Sequence, residues 1–108
     1  MATDADYIAY VLDQIAAAGV VTSKKMFGEY AIYLNAKVVA LACDNQLFVK
    51  PTPGGKALLG QVEEAQPYPN AKPHFLISDQ LDNRTLMAQL FQITAREVTA
   101  TPKKPARK

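Results

Sequence analysis

A thiol beside an imidazole can act as a nucleophile, and Cys43 and His74 are the sole cysteine and histidine of the chain. Such a pair needs a thiolate activated by a base within hydrogen-bond reach. Cys43 ends an apolar run, where a cysteine is usually a small buried hydrophobe. His74 stands between Pro73 and Phe75 with no second histidine and no carboxylate at ligand spacing, so neither a metal nor a cofactor is expected. The run Pro53-Gly54-Gly55-Lys56 has the glycine amides and lysine of a phosphate cradle. It lacks the remaining P-loop spacing and the hydroxyl after the lysine, which leaves a flexible loop entering a helix as the simpler reading. Glu63 and Glu64 are neighbours, so on a strand they face opposite sides and cannot share one substrate as acid and base.

Glu29 is the most informative polar residue. It interrupts an apolar run between Gly28 and Tyr30, and a carboxylate buried there needs a hydrogen-bond or cationic partner, for which Lys50 and Lys72 are candidates. An outward-facing Glu29 that discourages edge pairing is the structural alternative. Two functional surfaces can be drawn around it. Phe27, Glu29 and Tyr33, with Tyr30 adjacent in sequence, form a recognition patch of aromatic anchors beside a charge. Glu29, Lys50, Tyr68 and Lys72 would instead form a cleft for a small ligand or an uncharacterised reaction.

Twelve Lys and Arg face ten Asp and Glu, but Lys103, Lys104, Arg107 and Lys108 occupy the end of the chain. Without them the body holds eight cations against ten anions, which argues against a broad nucleic-acid groove on the body. The four tail cations could support weak, sequence-blind binding to nucleic acid, with a slope of log affinity on log salt of about −3.6 for duplex DNA. No aromatic residue is interleaved among them to stack on bases. Asp4 and Asp6 give the N-terminus the wrong polarity for a signal or transit peptide. No apolar stretch approaches the ~20 residues that cross a bilayer. A cytoplasmic protein without membrane attachment is the expectation.

The elements that must position these residues fit one domain in a chain of 108 residues, 49% hydrophobic and 20% charged. Positions 3–18 predict a helix with Ile8, Val11, Leu12 and Ile15 on one face, Thr3 and Asp6 as a capping box and Gly19 as its C-terminal cap. Positions 26–34, 38–43 and 47–50 read as an antiparallel meander joined by two-residue turns at Asn35-Ala36 and Asp44-Asn45. Perfect alternation then places Tyr30, Ile32, Leu34, Val39, Leu41, Cys43 and Phe48 on one face. Phe27, Glu29, Ala31, Tyr33, Val38, Ala40, Ala42, Leu47 and Val49 fall on the other. Both faces are mostly apolar, so a second cover is expected, either a helix or a partner or second copy. Positions 56–60 predict a short helix, and Pro67, Pro69 and Pro73 stiffen an extended stretch around Tyr68. Positions 75–78 form a short strand whose natural partner lies near 62–66. Asp82 or Asn83 then caps a long helix carrying Leu86, Met87, Leu90, Phe91, Ile93 and Val98. The fold class is α+β, a two-layer sandwich of a mainly antiparallel sheet of about five strands with the N- and C-terminal helices packed on it. The domain covers 1–98, and 99–108 is a disordered basic Lys/Pro tail.

The string Met26-Phe27-Gly28-Glu29-Tyr30-Ala31-Ile32-Tyr33, then Val39-Ala40-Leu41 and Cys43-Asp44-Asn45-Gln46-Leu47-Phe48-Val49-Lys50, resembles the N-terminal domain of the TfoX/Sxy family of bacterial competence regulators. The segment from Pro67 to Pro73 and the Lys/Pro-rich end are similar to its short stand-alone members. The resemblance implies an α+β two-layer domain and a role in regulating genes for DNA uptake, with no assigned catalytic activity. Ala31 stands where a glycine is common after Tyr30, and Ala36 replaces the expected turn glycine, which makes a primed turn less comfortable. The longer regulators carry a further C-terminal domain that this chain lacks, so direct DNA binding is not implied. The expected function is a non-enzymatic cytoplasmic interaction module acting on a protein partner or as a homodimer. A small-ligand binder or enzyme is the first alternative, and tail-mediated DNA binding the weaker one.

Overall fold

The computed structural model describes residues 3–26 and 29–100. Helix α1 (Ala5–Ile15), prolonged by a 3-10 turn at Ala16–Ala18, leads into β1 (Val21–Met26), β2 (Glu29–Leu34), β3 (Lys37–Cys43) and β4 (Gln46–Val49). Helix α2 (Pro53–Leu59), β5 (Glu64–Ala65), β6 (His74–Ile77), a 3-10 turn at Asp79–Asp82 and α3 (Arg84–Ala100) complete the order. The six strands form one sheet, β1-β2-β3-β4-β6-β5, antiparallel throughout. This is the expected α+β arrangement with six strands rather than five. The extra strand is β1, whose sequence Val-Thr-Ser-Lys-Lys-Met lacks apolar alternation. It is recruited by a full register with β2, and β2 begins at Glu29 rather than Met26.

The helices cover one face of the sheet. On α3, Met87, Leu90, Phe91, Thr94 and Ala95 recur at the spacing of a helical stripe and are all buried. Asn83 caps this helix through its Oδ1, which accepts the Leu86 amide at 3.0 Å. Ile8, Val11 and Ile15 form the buried stripe of α1, and these side chains meet Ile32, Leu34, Ala40, Ala42, Leu47, Val49, Phe75 and Ile77 from the sheet. Each large side chain of this core contributes roughly 1.5–3 kcal/mol by leaving water. The predicted capping box at α1 does not form: Asp4 is the N-cap and makes no side-chain cap bond. Thr3 is instead committed to the sheet. Helix α3 runs to Ala100, two residues past the domain boundary expected at 98, and the basic tail lies outside the described residues.

Both turns of the meander are two-residue turns, with Asn35 and Ala36 at φ 53° and 72° and Asp44 and Asn45 at φ 53° and 57°. These left-handed pairs match the twist of the flanking strands, and the hairpin keeps them even with alanine at 36. The expected face assignment nevertheless fails beyond the first turn. A bulge between Ile32 and Tyr33 shifts the pairing from Tyr33 opposite Val38 to Ile32 opposite Ala40. One extra residue on β3 exchanges the faces of everything after it. Ala40, Ala42, Leu47 and Val49 therefore join Ile32 on the helix side, while Leu41, Cys43 and Phe48 turn to the outer face with Glu29, Ala31 and Tyr33.

The outer face, for which a helix, a partner or a second copy was the expected cover, is instead partly closed by the chain's own segment between β5 and β6. Ala31, Cys43 and Phe48 are buried without belonging to the main core, as is Ala71 from the segment joining β5 to β6. This strap, residues 66–73, is folded back on itself. Tyr68-Pro69-Asn70-Ala71 is a turn closed by the Ala71 amide on the Tyr68 carbonyl at 3.1 Å, with Asn70 at φ 72°. Proline second and a left-handed asparagine third is the pattern a type II turn requires. Gln66 Nε2 donates to the Ala71 carbonyl at 2.7 Å and ties the two ends of the strap together.

Candidate binding clefts on the outer face of the sheet

Two clefts lie where the strap meets the outer face, one on each side of Tyr68. The first, of about 400 Å³, is bounded by Leu41, Cys43, Pro67, Tyr68 and Pro69, with Glu29 and Tyr30 at its end. The second, of about 800 Å³, takes Leu41 and Tyr68 as a shared wall and adds Val38, Lys50, Lys72 and His74. Tyr68 stands between them and is 56% exposed, whereas the floor it overlooks is largely buried.

The four residues expected to share one cleft are thereby divided. Glu29 lines the first and Lys50 and Lys72 the second; Tyr68 alone lines both. Nor do the lysines neutralise Glu29. Its Oε1 accepts the Thr3 hydroxyl at 2.6 Å and the Asp44 amide at 3.0 Å. Thr3 Oγ1 accepts the Asn45 amide at 3.3 Å, and Asn45 Oδ1 accepts the Asp4 amide at 2.8 Å. Glu29 is thus the centre of a clasp that ties the entrance of α1, the start of β2 and the β3–β4 turn together. Strand β2 lies inside the sheet between β1 and β3, so Glu29 does not guard an edge either. Tyr33 is half-buried opposite Val38 and borders neither cleft. Phe27 and the tail residues Lys103, Lys104, Arg107 and Lys108 lie outside the described residues.

Cys43 and His74 are not brought together. Cys43 borders only the first cleft, His74 only the second. Burial pushes the Cys43 thiol above its ordinary range, and the neighbouring Glu29 and Asp44 charges push it further, the opposite of what activates a nucleophile. His74 Nδ1 donates to the Lys72 carbonyl at 2.7 Å, fixing the ring against the strap. Among the described residues no group of three or more His, Cys, Asp or Glu is gathered as a metal site. No helix among them is long and apolar enough to cross a membrane.

The glycine cradle does hold an anion, but it is the protein's own. The Gly54 amide donates to Glu97 Oε1 of α3 at 2.9 Å, and the Gly55 amide donates to Thr52 Oγ1, the N-cap of α2, at 3.0 Å. The expected loop at 53–55 is the first turn of α2, and its amides are satisfied internally.

The strings that carry the family resemblance converge on one place, since Glu29 from the first and Asp44 and Asn45 from the second build the same clasp. Over residues 13–98 the chain matches the TfoX N-terminal domain. It belongs to that family. The chain is also 37% identical over 107 residues to an uncharacterized 12.7 kDa protein in the trpE 5′ region of Spirochaeta aurantia, an alignment spanning 99% of this chain and 93% of that relative. The protein is accordingly of the competence-regulator-like kind that defines the TfoX N-terminal family.

Several residues of the clefts and of the clasp carried no signal in the sequence. Leu41 sits on the outer face only because of the bulge, and no residue type at 38 or 39 announces one, since both are valine. Thr3 and Asn45 read as a helix cap and a turn residue, and their contact across 42 positions is a tertiary event. The proline spacing at 67, 69 and 73 was the legible part: it marked a rigid segment around Tyr68, though not the face on which the segment lies.

Proposed function

We propose that this TfoX N-terminal domain protein is a non-enzymatic cytoplasmic regulatory module that acts by docking a protein partner at the first cleft. The observation that carries the reading is Tyr68, an exposed aromatic held on a hydrogen-bonded proline turn above an apolar recess. A rigid aromatic beside a preformed pocket binds without much loss of side-chain or loop freedom, which is the usual anatomy of an interface hot spot. Family kinship supports a regulatory role connected with DNA uptake. The small-ligand or enzymatic alternative loses ground because Glu29, one of the four residues it needs in one cleft, already accepts two hydrogen bonds within the clasp and lines a different cleft from Lys50.

Photo-crosslinking inside the producing cells tests this. Benzoylphenylalanine at position 68 should give one dominant protein adduct that survives nuclease treatment, whereas the same group at the exposed Val20 should not. A diffuse adduct pattern equal at both positions would defeat the proposal.

A further inference from the structure

The sheet register gathers cations at the second cleft. Strands β4 and β6 pair Val49 with Phe75, and one step further the same register sets Lys50 opposite His74 on the outer face. The Lys50 amide still donates to the Val39 carbonyl at 2.9 Å, so the ladder geometry continues through this position. Side chains directly opposite on neighbouring strands begin about 4.5–5.5 Å apart at Cβ. Lys72 lies two residues before His74, and Pro73 biases it towards an extended backbone, which returns its side chain to the same side. All three residues border the cleft, and no Asp or Glu does. Among the described residues neither Lys50 nor Lys72 has an ion-pair partner, whereas Lys56 and Arg84 are paired with Glu64 and Asp13. The carboxyl end of α3, which brings Val98 to the rim, contributes about half a negative charge, less than the two lysines carry. Cations collected on one side of a sheet repel one another, and an anion between them would turn that repulsion into attraction. The imidazole is oriented as well. Nδ1 of His74 carries the proton donated to the Lys72 carbonyl, which leaves Nε2 as an acceptor in the neutral ring.

We propose that this cleft binds a small molecule bearing a phosphate monoester, with the phosphate held between Lys50 and Lys72 and its protonated oxygen donating to Nε2 of His74. A monoester matches this set better than a diester does. It carries close to two negative charges at neutral pH for the two lysines, and its singly ionised form keeps an O–H that a diester lacks. The wall of Val38, Leu41 and Pro51 is apolar and suits the organic part of the ligand. The cleft's volume of about 800 Å³ falls within the roughly 300–1,000 Å³ of sites that enclose small molecules. This constellation differs from the four-residue cleft expected from the sequence, because it includes His74 and needs neither Glu29 nor Tyr68. It is also separate from protein docking at the first cleft, which none of Lys50, Lys72 and His74 borders.

Calorimetric titration of phenyl phosphate into the full chain tests this, with phenyl sulfate as a singly charged probe of the same shape. Phenyl phosphate should bind saturably, one per chain, and about ten-fold or more tightly than the sulfate. Lys50→Gln combined with Lys72→Gln should erase that preference, and His74→Gln should reduce it. Lys24→Gln combined with Lys25→Gln, on the exposed edge of β1, should leave it intact. Tyr68→Ala should also keep the preference for phosphate, and the chain lacking Lys50 and Lys72 should still form the crosslinked adduct at position 68, so this site and the docking site can fail separately. Circular dichroism of each variant verifies that the fold is retained. The proposal is overturned if phenyl phosphate shows no saturable binding or binds no better than the sulfate. It is equally overturned if the β1 lysine variant loses as much affinity as the cleft variant, or if Tyr68→Ala removes the preference as fully as the two cleft lysines do.

Discussion

A single carboxylate explains why Glu29 stands in an otherwise apolar run. Its Oε1 collects one hydroxyl and one backbone amide from two distant segments, and bonds to an ionised acceptor are the stronger kind. Glu29→Ala leaves the Thr3 hydroxyl and the Asp44 amide without that acceptor and should cost about 1–3 kcal/mol, a fall of several degrees in melting temperature, whereas Thr3→Ser should retain most of the stability. Identical melting curves for Glu29→Ala and the parent would remove the clasp from the account. Tyr7, half-buried against the core, offers a second residue-level test. Burial pushes its phenol from 10.0 up to about 12, so the folded chain keeps a proton that the unfolded chain releases. The sign follows directly: this contribution is fully present below pH 10 and is lost as pH rises from there through about 12. Tyr7→Phe, which keeps the ring and removes the proton, should flatten the alkaline loss of stability in denaturant titrations performed on both sides of pH 10. Tyr10 is raised as well, chiefly through its hydrogen bond to Asp82, so some alkaline sensitivity should remain in that variant.

At the scale of elements, the contact between α2 and α3 depends on glycine for close approach rather than for an unusual backbone angle. A methyl group built on Gly54 would lie 2.7 Å from Ile93 Cγ2 and would also crowd the Glu97 carboxylate that accepts the Gly54 amide. Alanine in a free helix is better than glycine by about 1 kcal/mol. Here Gly54→Ala should lower stability by about 1–3 kcal/mol instead, because the helices must separate or Glu97 must abandon its amide. Thermal unfolding reads the sign, and a raised melting temperature would contradict the packing described. The bulge at Ile32/Tyr33 works on the same scale. Its single extra residue moves Leu41 onto the outer face, making it a wall of both clefts, and places Ala40 and Ala42 beneath the helices, where small side chains permit α3 to lie close to β3.

For the molecule as a whole, the described surface is managed against self-association. The edge strand β1 carries Lys24 and Lys25, both exposed, and the opposite edge, β5, is two residues long, two of the ways natural sheets prevent strand-to-strand pairing. The large hydrophobic residues that remain exposed, Tyr10, Val20 and Tyr68, belong to different elements and form no continuous patch of their own. A homodimer, one of the two partners considered from the sequence, thus has little apolar area to bury. Light scattering coupled to size exclusion should return the 11.8 kDa mass of one chain at high micromolar concentration. A concentration-dependent dimer mass would instead direct attention to a copy of the chain as the occupant of the outer face.

Local chemistry in the sequence was enough to specify the two long helices, both two-residue turns, the pairing of the short strands near 64 and 75, and the α+β class. Each depends on side-chain periodicity or on residues that bias their own backbone, such as the asparagines at 35 and 45 and the prolines around Tyr68. Tertiary structure decided the rest. Strand β1 exists because β2 offers it a ladder, Thr3 left its helix because Glu29 and the turn at Asp44 offered a better partner, and the faces of β3 and β4 depend on one inserted residue. A strand's side chains alternate with a period of two, so a single bulge reverses which half is buried without altering composition or local propensity. The division of Glu29 from Lys50 and Lys72, and with it the separation of two clefts by Tyr68, follows from where the strap lies on that reordered face.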